Sequence, residues 1–228
     1  MIAGAMTMRV FVLAVVVCGV GAGLASVPQA AAANASPIAT VTFTMSSPNG
    51  NPQYYSVAVT SMGSVSYRST PNSDLRTGEP YMLDFHSSRA TRTHIFRLVK
   101  RLNFFRGALK TRDSARVGIS TKTLTFSEGP LDNQIVYTSS KSAPIDQLTA
   151  IFERISATME FGRRLARLRS RNPGMLRAEL KQMERQSRLG QLAELPAVSP
   201  VLETLASDGR IPETSRRYAR EILKNTHS

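Results

Sequence analysis

Apolar side chains recur at every second position in short runs up to residue 138, and at every third or fourth position from Pro144 onward, where no strand-like run appears again. Period two marks half-buried strands, and a period near 3.6 marks amphipathic helices. A chain in which short strands and a single helix precede an all-helical stretch folds as α+β, with a small antiparallel sheet of about six strands and one packed helix in front and helices behind. The boundary falls at about residue 141, giving an α+β domain over 36–141 and a basic helical region over 142–228.

Six short strands are predicted, over 38–45, 55–60, 65–68, 81–85, 121–126 and 134–138. In the first, Val41, Phe43 and Met45 alternate with threonines; in the second, Tyr55, Val57 and Val59 alternate with small residues. Gly63 supplies the positive φ that a tight hairpin between the second and third strands needs. Residues 127–133, Ser-Glu-Gly-Pro-Leu-Asp-Asn, read as the turn of a second hairpin. Between the hairpins one helix is expected from about residue 89 to 105. Ser87 or Ser88 caps it, and Ile95, Leu98, Val99, Leu102 and Phe105 form its apolar face.

Behind Pro144 about four helices are predicted. Ser142 and Pro144 signal the start of the first, whose stripe runs Ile145, Leu148, Phe152, Ile155, Met159, Gly162 and Ala166 and which ends at Asn172-Pro173-Gly174. The second covers about 175–195, the third 199–206 and the last about 213–224, with Pro196 and Asp208-Gly209 between them. Such a set suits a small bundle or hairpin array.

The first 33 residues differ from the rest. One positive charge, Arg9, precedes an apolar stretch over 10–24, and the segment closes in Ala31-Ala32-Ala33. Basic, apolar and small-residue regions in that order are what the export machinery and its peptidase read. Residues 1–33 are therefore expected to be a signal peptide cleaved after Ala33, and the protein to be periplasmic or secreted. An uncleaved membrane anchor is the minor alternative. Gly19, Gly21, Gly23 and Pro28 interrupt the run, and its strongly apolar part is about fifteen residues, short of the roughly 20 that a bilayer needs. Acylation at Cys18 is disfavoured by the bulky Val17 before it.

Cleavage there removes the single cysteine and leaves 195 residues that cannot use disulfides, thiol nucleophiles, iron–sulfur clusters or cysteine zinc sites. It leaves 28 basic residues against 16 acidic ones, a balance of +12 that attracts polyanions. The charge is densest over 163–188. There Arg163, Arg164, Arg167, Arg169, Arg171, Arg177, Lys181, Arg185 and Arg188 face only Glu179 and Glu184. Arg177, Lys181 and Arg185 step by four and so form one row along a helix. These residues, Arg169 apart, are the anion-binding candidates, and their expected partner is an anionic envelope polymer, a lipid surface or an acidic protein. Aromatic residues that would stack on bases are missing here, which argues against nucleic acid.

Catalytic chemistry has little to stand on. His86, His94 and His227 share no metal-ligand spacing, and no nucleophile elbow, Walker loop or dinucleotide glycine motif occurs. No metal, cofactor or catalytic residue is assigned. A serine hydrolase would need His86 or His94 as its base, and a carboxylate pair such as Asp84 with Asp132 has no motif behind it.

Tyr55-Ser-Val-Ala-Val, then Gly63-Ser-Val-Ser-Tyr67, then a helix closing in Leu102-Asn-Phe-Phe105 resembles small uncharacterised domains of exported bacterial proteins, in which these features occur in that order. The resemblance covers about 38–106 and implies a hairpin-and-helix core; it assigns no functional residue. The expectation is an exported, non-enzymatic binding or interaction protein. A hydrolase with its site in the α+β domain is one alternative, and a structural subunit assembling through its C-terminal helices is another.

Overall fold

The computed structural model describes residues 37–70, 80–107, 111–112 and 120–226. The expected signal segment with Cys18, His227 and most of the loop at 69–80 lie outside these. In chain order the elements are β1 (Thr40–Ser46), β2 (Tyr54–Thr60), β3 (Ser64–Thr70), β4 (Tyr81–His86), α1 (Arg89–Arg101), β5 (Thr111–Arg112), β6 (Thr121–Glu128), β7 (Leu131–Tyr137), β8 (Ser139–Ser140), α2 (Ala143–Arg171), α3 (Pro173–Arg188), α4 (Ser199–Ser207) and α5 (Glu213–Lys224). Short 3-10 turns occupy Asn103–Phe105 and Leu195–Val198.

Six strands form an antiparallel sheet in the order β4-β3-β2-β1-β6-β7. Strand register lines up the alternating apolar residues: Ile135, Leu124, Phe43, Val57, Tyr67 and Leu83 make one row across all six strands. Phe126, Val41, Val59, Val65 and Phe85 make the next. Both rows face the helices. The opposite face carries Thr42, Thr44, Ser56, Ser66, Thr123 and Thr125, none of them buried, as expected for an antiparallel sheet with one wet side.

Helix α2 lies on the apolar face because its own stripe matches it. Phe152 stacks on Phe43 with centroids 5.3 Å apart and planes 4° from parallel, and both rings are fully buried. Burying each is worth roughly 2–3 kcal/mol. The buried cluster runs from Ala39 through the sheet, α1 and α2 to Ile222 in α5. Residues Ser36–Ser228 form one compact unit. The change of secondary structure near residue 142 therefore lies inside a shared core, to which sheet and helices both contribute.

The ends of elements differ from expectation, each for a local reason. The second hairpin is longer than predicted: its turn shrinks to Gly129-Pro130, with Gly129 at φ +55, and Asp132 and Asn133 lie within β7. Helix α1 stops at Arg101, where Lys100 and Arg101 suit its negative end. Asn103, Phe104 and Phe105 then hold φ values of +49, +54 and +62. That costly left-handed turn buries Phe105 and sets Phe104 5.0 Å from Phe126. Asn172 closes α2 and also begins α3, its side chain accepting from the Met175 amide at 3.1 Å. Helix α3 ends at Arg188, not near residue 195, because Gly190 turns the chain at φ +65. Ser142 sits at the start of α2 without a side-chain capping bond. The two-residue ladder of β5 with β8 falls where the sequence shows only loop and turn character.

Candidate functional site

Where α2 crosses β3, the sheet presents Tyr67 and Ser69 and the helix presents Ser156, Glu160 and Arg163. The Glu160 carboxylate is almost wholly buried, which its geometry makes tolerable. One oxygen accepts from the Tyr67 hydroxyl at 3.0 Å and from the Ser69 hydroxyl at 2.7 Å; the other accepts from Arg163 Nε at 2.8 Å, with the Arg163 NH2 nitrogen at 2.6 Å. Since the Tyr67 proton goes to Glu160, the Ser156 hydroxyl donates to Tyr67, 3.1 Å away. Burial, followed by the Glu160 charge, raises the Tyr67 pKa far above that of a free phenol; Tyr55 and Tyr81 shift the same way, again chiefly through burial. Every lone-pair direction of Glu160 is occupied from within. This cluster ties α2 to the sheet and has no acceptor site left for a reacting proton.

That arrangement sorts the sequence-flagged cations. Arg163 points inward to Glu160 and is off the surface. Arg164 pairs with Glu179 of α3 at 2.6 Å, its guanidinium 4.6 Å from the centre of the Phe161 ring. Arg188 pairs with Glu184 one turn back at 2.7 Å, and Arg169 reaches Asp208 at 3.1 Å. Arg167 is half-buried and engaged. Arg171 is the last residue of α2, and its side chain lies outside the description. Arg177, Lys181 and Arg185 remain. All three are exposed, and among the described residues none has an ion-pair partner. With its members four positions apart, the row covers about 12 Å of α3.

Two concavities meet beside this row. One, of about 280 Å³, descends between α2, α3 and the turn after β1, with Asn51, Pro52, Glu153, Ser156, Glu160, Phe161, Arg164, Gln182 and Gln186 around it. The other, of about 490 Å³, lies over α3 and involves Lys181, Gln182, Arg185, Gln186, Leu189 and Gln191. Gln182 and Gln186 belong to both. Gln182 and Gln186 are one turn apart, next to Lys181 and Arg185, so α3 shows solvent a cation row with an amide row alongside.

Local pattern leaves His86 without a recognisable partner, whereas strand register sets a serine opposite it. Ser64 of β3 lies directly across from His86 of β4. Asp84, two residues before His86, shares its side of the sheet, and all three line a concavity of about 310 Å³ with Ser66 and Thr60. No hydrogen bond joins these side chains. His94 is exposed on α1. Asp84 and Asp132 stand on the two opposite edge strands, about 24 Å apart at ordinary strand spacing, and cannot act on one bond. Among the described residues, no three His, Cys, Asp or Glu side chains group to hold a metal, and no helix is long and apolar enough to cross a membrane.

Comparison with protein-family models and with curated proteins finds no match for this chain, so its functional reading is carried by the cation and amide rows of α3 and the clefts beside them.

Proposed function

We propose that this is an exported, non-enzymatic binding protein that holds an anionic envelope component or partner through the exposed face of α3. The observation that carries the reading is the row Arg177, Lys181 and Arg185, three exposed cations on successive turns with no acidic partner among the described residues. Neighbouring arginines are already neutralised by Glu160, Glu179, Glu184 and Asp208. A set of cations left unpaired at fixed spacing attracts an external anion, and exposed contacts of that kind weaken as salt screens them. Export is supported by the order of charge, apolar run and alanines over 1–33. Titration of the protein against cell-wall polymer and anionic vesicles at low and high salt tests the binding. Salt-weakened binding to either supports the reading, and absent or salt-insensitive binding to both contradicts it.

A hydrolase is the second reading, favoured by the shared concavity of Ser64, His86 and Asp84. Hydrolysis of an activated ester that is abolished in Ser64→Ala and in His86→Ala would support it; turnover that neither substitution changes removes it. Assembly through the helices has less behind it, since the exposed large apolar side chains on the described helices and their caps are Met175 in the first turn of α3 and Leu189 just past its end, about 21 Å apart along the helix axis.

A further inference from the structure

We infer that the ligand of the α3 face is an acidic polysaccharide: a sugar unit lies in the paired clefts, with its hydroxyls on the amide row and its carboxylate on the cation row. This rests on the anion-binding reading above and narrows it to one class of polymer.

The two clefts leave different groups free for a ligand. In the cleft between α2 and α3 every charged group has an internal partner: Glu153 with Lys122 at 2.8 Å, Glu160 with Arg163, Arg164 with Glu179. What remains for a ligand there is uncharged. The side-chain amides of Asn51, Gln182 and Gln186 make no hydrogen bond among the described residues and edge that cleft, and the Gln191 amide, equally unused, edges the other. Each amide offers two donors and an acceptor, which matches neighbouring hydroxyls of a sugar ring. One residue along from Gln182 and Gln186, Lys181 and Arg185 are the unpaired cations. A ligand satisfying both rows carries many neutral hydroxyls and a negative group within a few ångström of them. An inorganic polyphosphate uses the cations and leaves the amides idle. A lipid surface is flat and would gain from apolar anchors, but the amides sit in a concavity, and Leu189 is the exposed large apolar residue at its edge.

The test titrates the full chain with three probes: an oligouronate, the same oligosaccharide with its carboxylates reduced to alcohols, and polyphosphate. Two double variants, Gln182→Ala with Gln186→Ala and Lys181→Ala with Arg185→Ala, are measured beside the parent after circular dichroism melts establish that each is folded. The inference predicts oligouronate binding that weakens tenfold or more in either variant and in the reduced sugar, and polyphosphate binding that weakens in the cation variant alone. Oligouronate affinity within twofold of the parent in the glutamine variant overturns the polysaccharide assignment and leaves the anion reading standing. Affinities for oligouronate and polyphosphate that ignore loss of Lys181 and Arg185 overturn the anion reading itself.

Discussion

Glu194 caps helix α1 through Ser88, a residue 106 positions earlier: one carboxylate oxygen accepts from the Ser88 amide at 2.8 Å and the other from its hydroxyl at 2.9 Å. The Ser88 hydroxyl in turn accepts from the Thr91 amide at 3.2 Å. A negative charge at a helix N-terminus also meets the positive end of the helix dipole. The loop after α3 is thereby fastened to the start of α1.

Loss of that charged cap should be measurable. Hydrogen bonds to a charged group contribute about 1.5–3 kcal/mol, so Glu194→Ala should lower unfolding free energy in urea by about 2 kcal/mol. Glu194→Gln should recover part of it. An alanine variant as stable as the parent would show that the contact contributes nothing to stability.

A larger effect is expected at the buried ion pair. Replacing Arg163 with Met keeps the apolar bulk but leaves the Glu160 charge with hydroxyl donors only, and breaking such a pair typically costs 3–5 kcal/mol. Arg163→Met should therefore destabilise by about 3 kcal/mol in denaturant. Its anion affinity, measured on the folded fraction, should match that of the parent, because the guanidinium is turned away from the surface.

Gly162 offers a test by overpacking. Alanine usually improves a helix interior by about 1 kcal/mol over glycine. Here a Cβ would stand 2.6 Å from Val198 Cγ1, so Gly162→Ala should instead lose about 1–3 kcal/mol. Adding Val198→Ala should restore some of that loss, giving clear non-additivity between two residues that touch. Additive losses in thermal melts would mean that the two do not share the space.

The Tyr137 hydroxyl is expected to govern part of the alkaline limit. It donates to Thr149 Oγ1 at 2.5 Å, since Thr149 gives its own proton to the Ile145 carbonyl. Burial, the largest influence, pushes its pKa up to about 12. The folded state thus keeps a proton that the unfolded chain releases near pH 10. This contribution is complete below pH 10 and disappears as pH rises toward 12. Two pKa units correspond to roughly 3 kcal/mol. Tyr137→Phe should flatten the fall in stability between pH 10 and 12, and an unchanged slope would reject the assignment.

The fold was legible where one period decides. Val41, Phe43, Tyr55, Val57 and Val59 alternate, and the stripe from Ile145 to Met159 has helical spacing, so strands, helices and their order follow from local pattern. Ends were less legible. Asp132 and Asn133 look like turn residues, yet an edge strand accepts polar side chains, and the left-handed turn at Asn103–Phe105 is stabilised by packing that no local rule encodes. The cation row was readable from its spacing of four. The loss of Arg188 to Glu184 was readable from a spacing of four, and that of Arg163 to Glu160 from a spacing of three. The loss of Arg164 to Glu179 was not, because it depends on how α3 folds back on α2. The pairing of Ser64 with His86 likewise exists only once strand register is set.

The most direct test of the central claim is the salt dependence of binding to one acidic polymer by the parent and by the triple variant Arg177→Ala, Lys181→Ala, Arg185→Ala. Each cation that releases a counterion adds roughly 0.7 to the slope of log affinity against log salt on a polymer charged about as densely as a single nucleic-acid strand. The account predicts weaker binding at low salt in the variant and a slope smaller by about two. Equal affinities and equal slopes in the two proteins would contradict it.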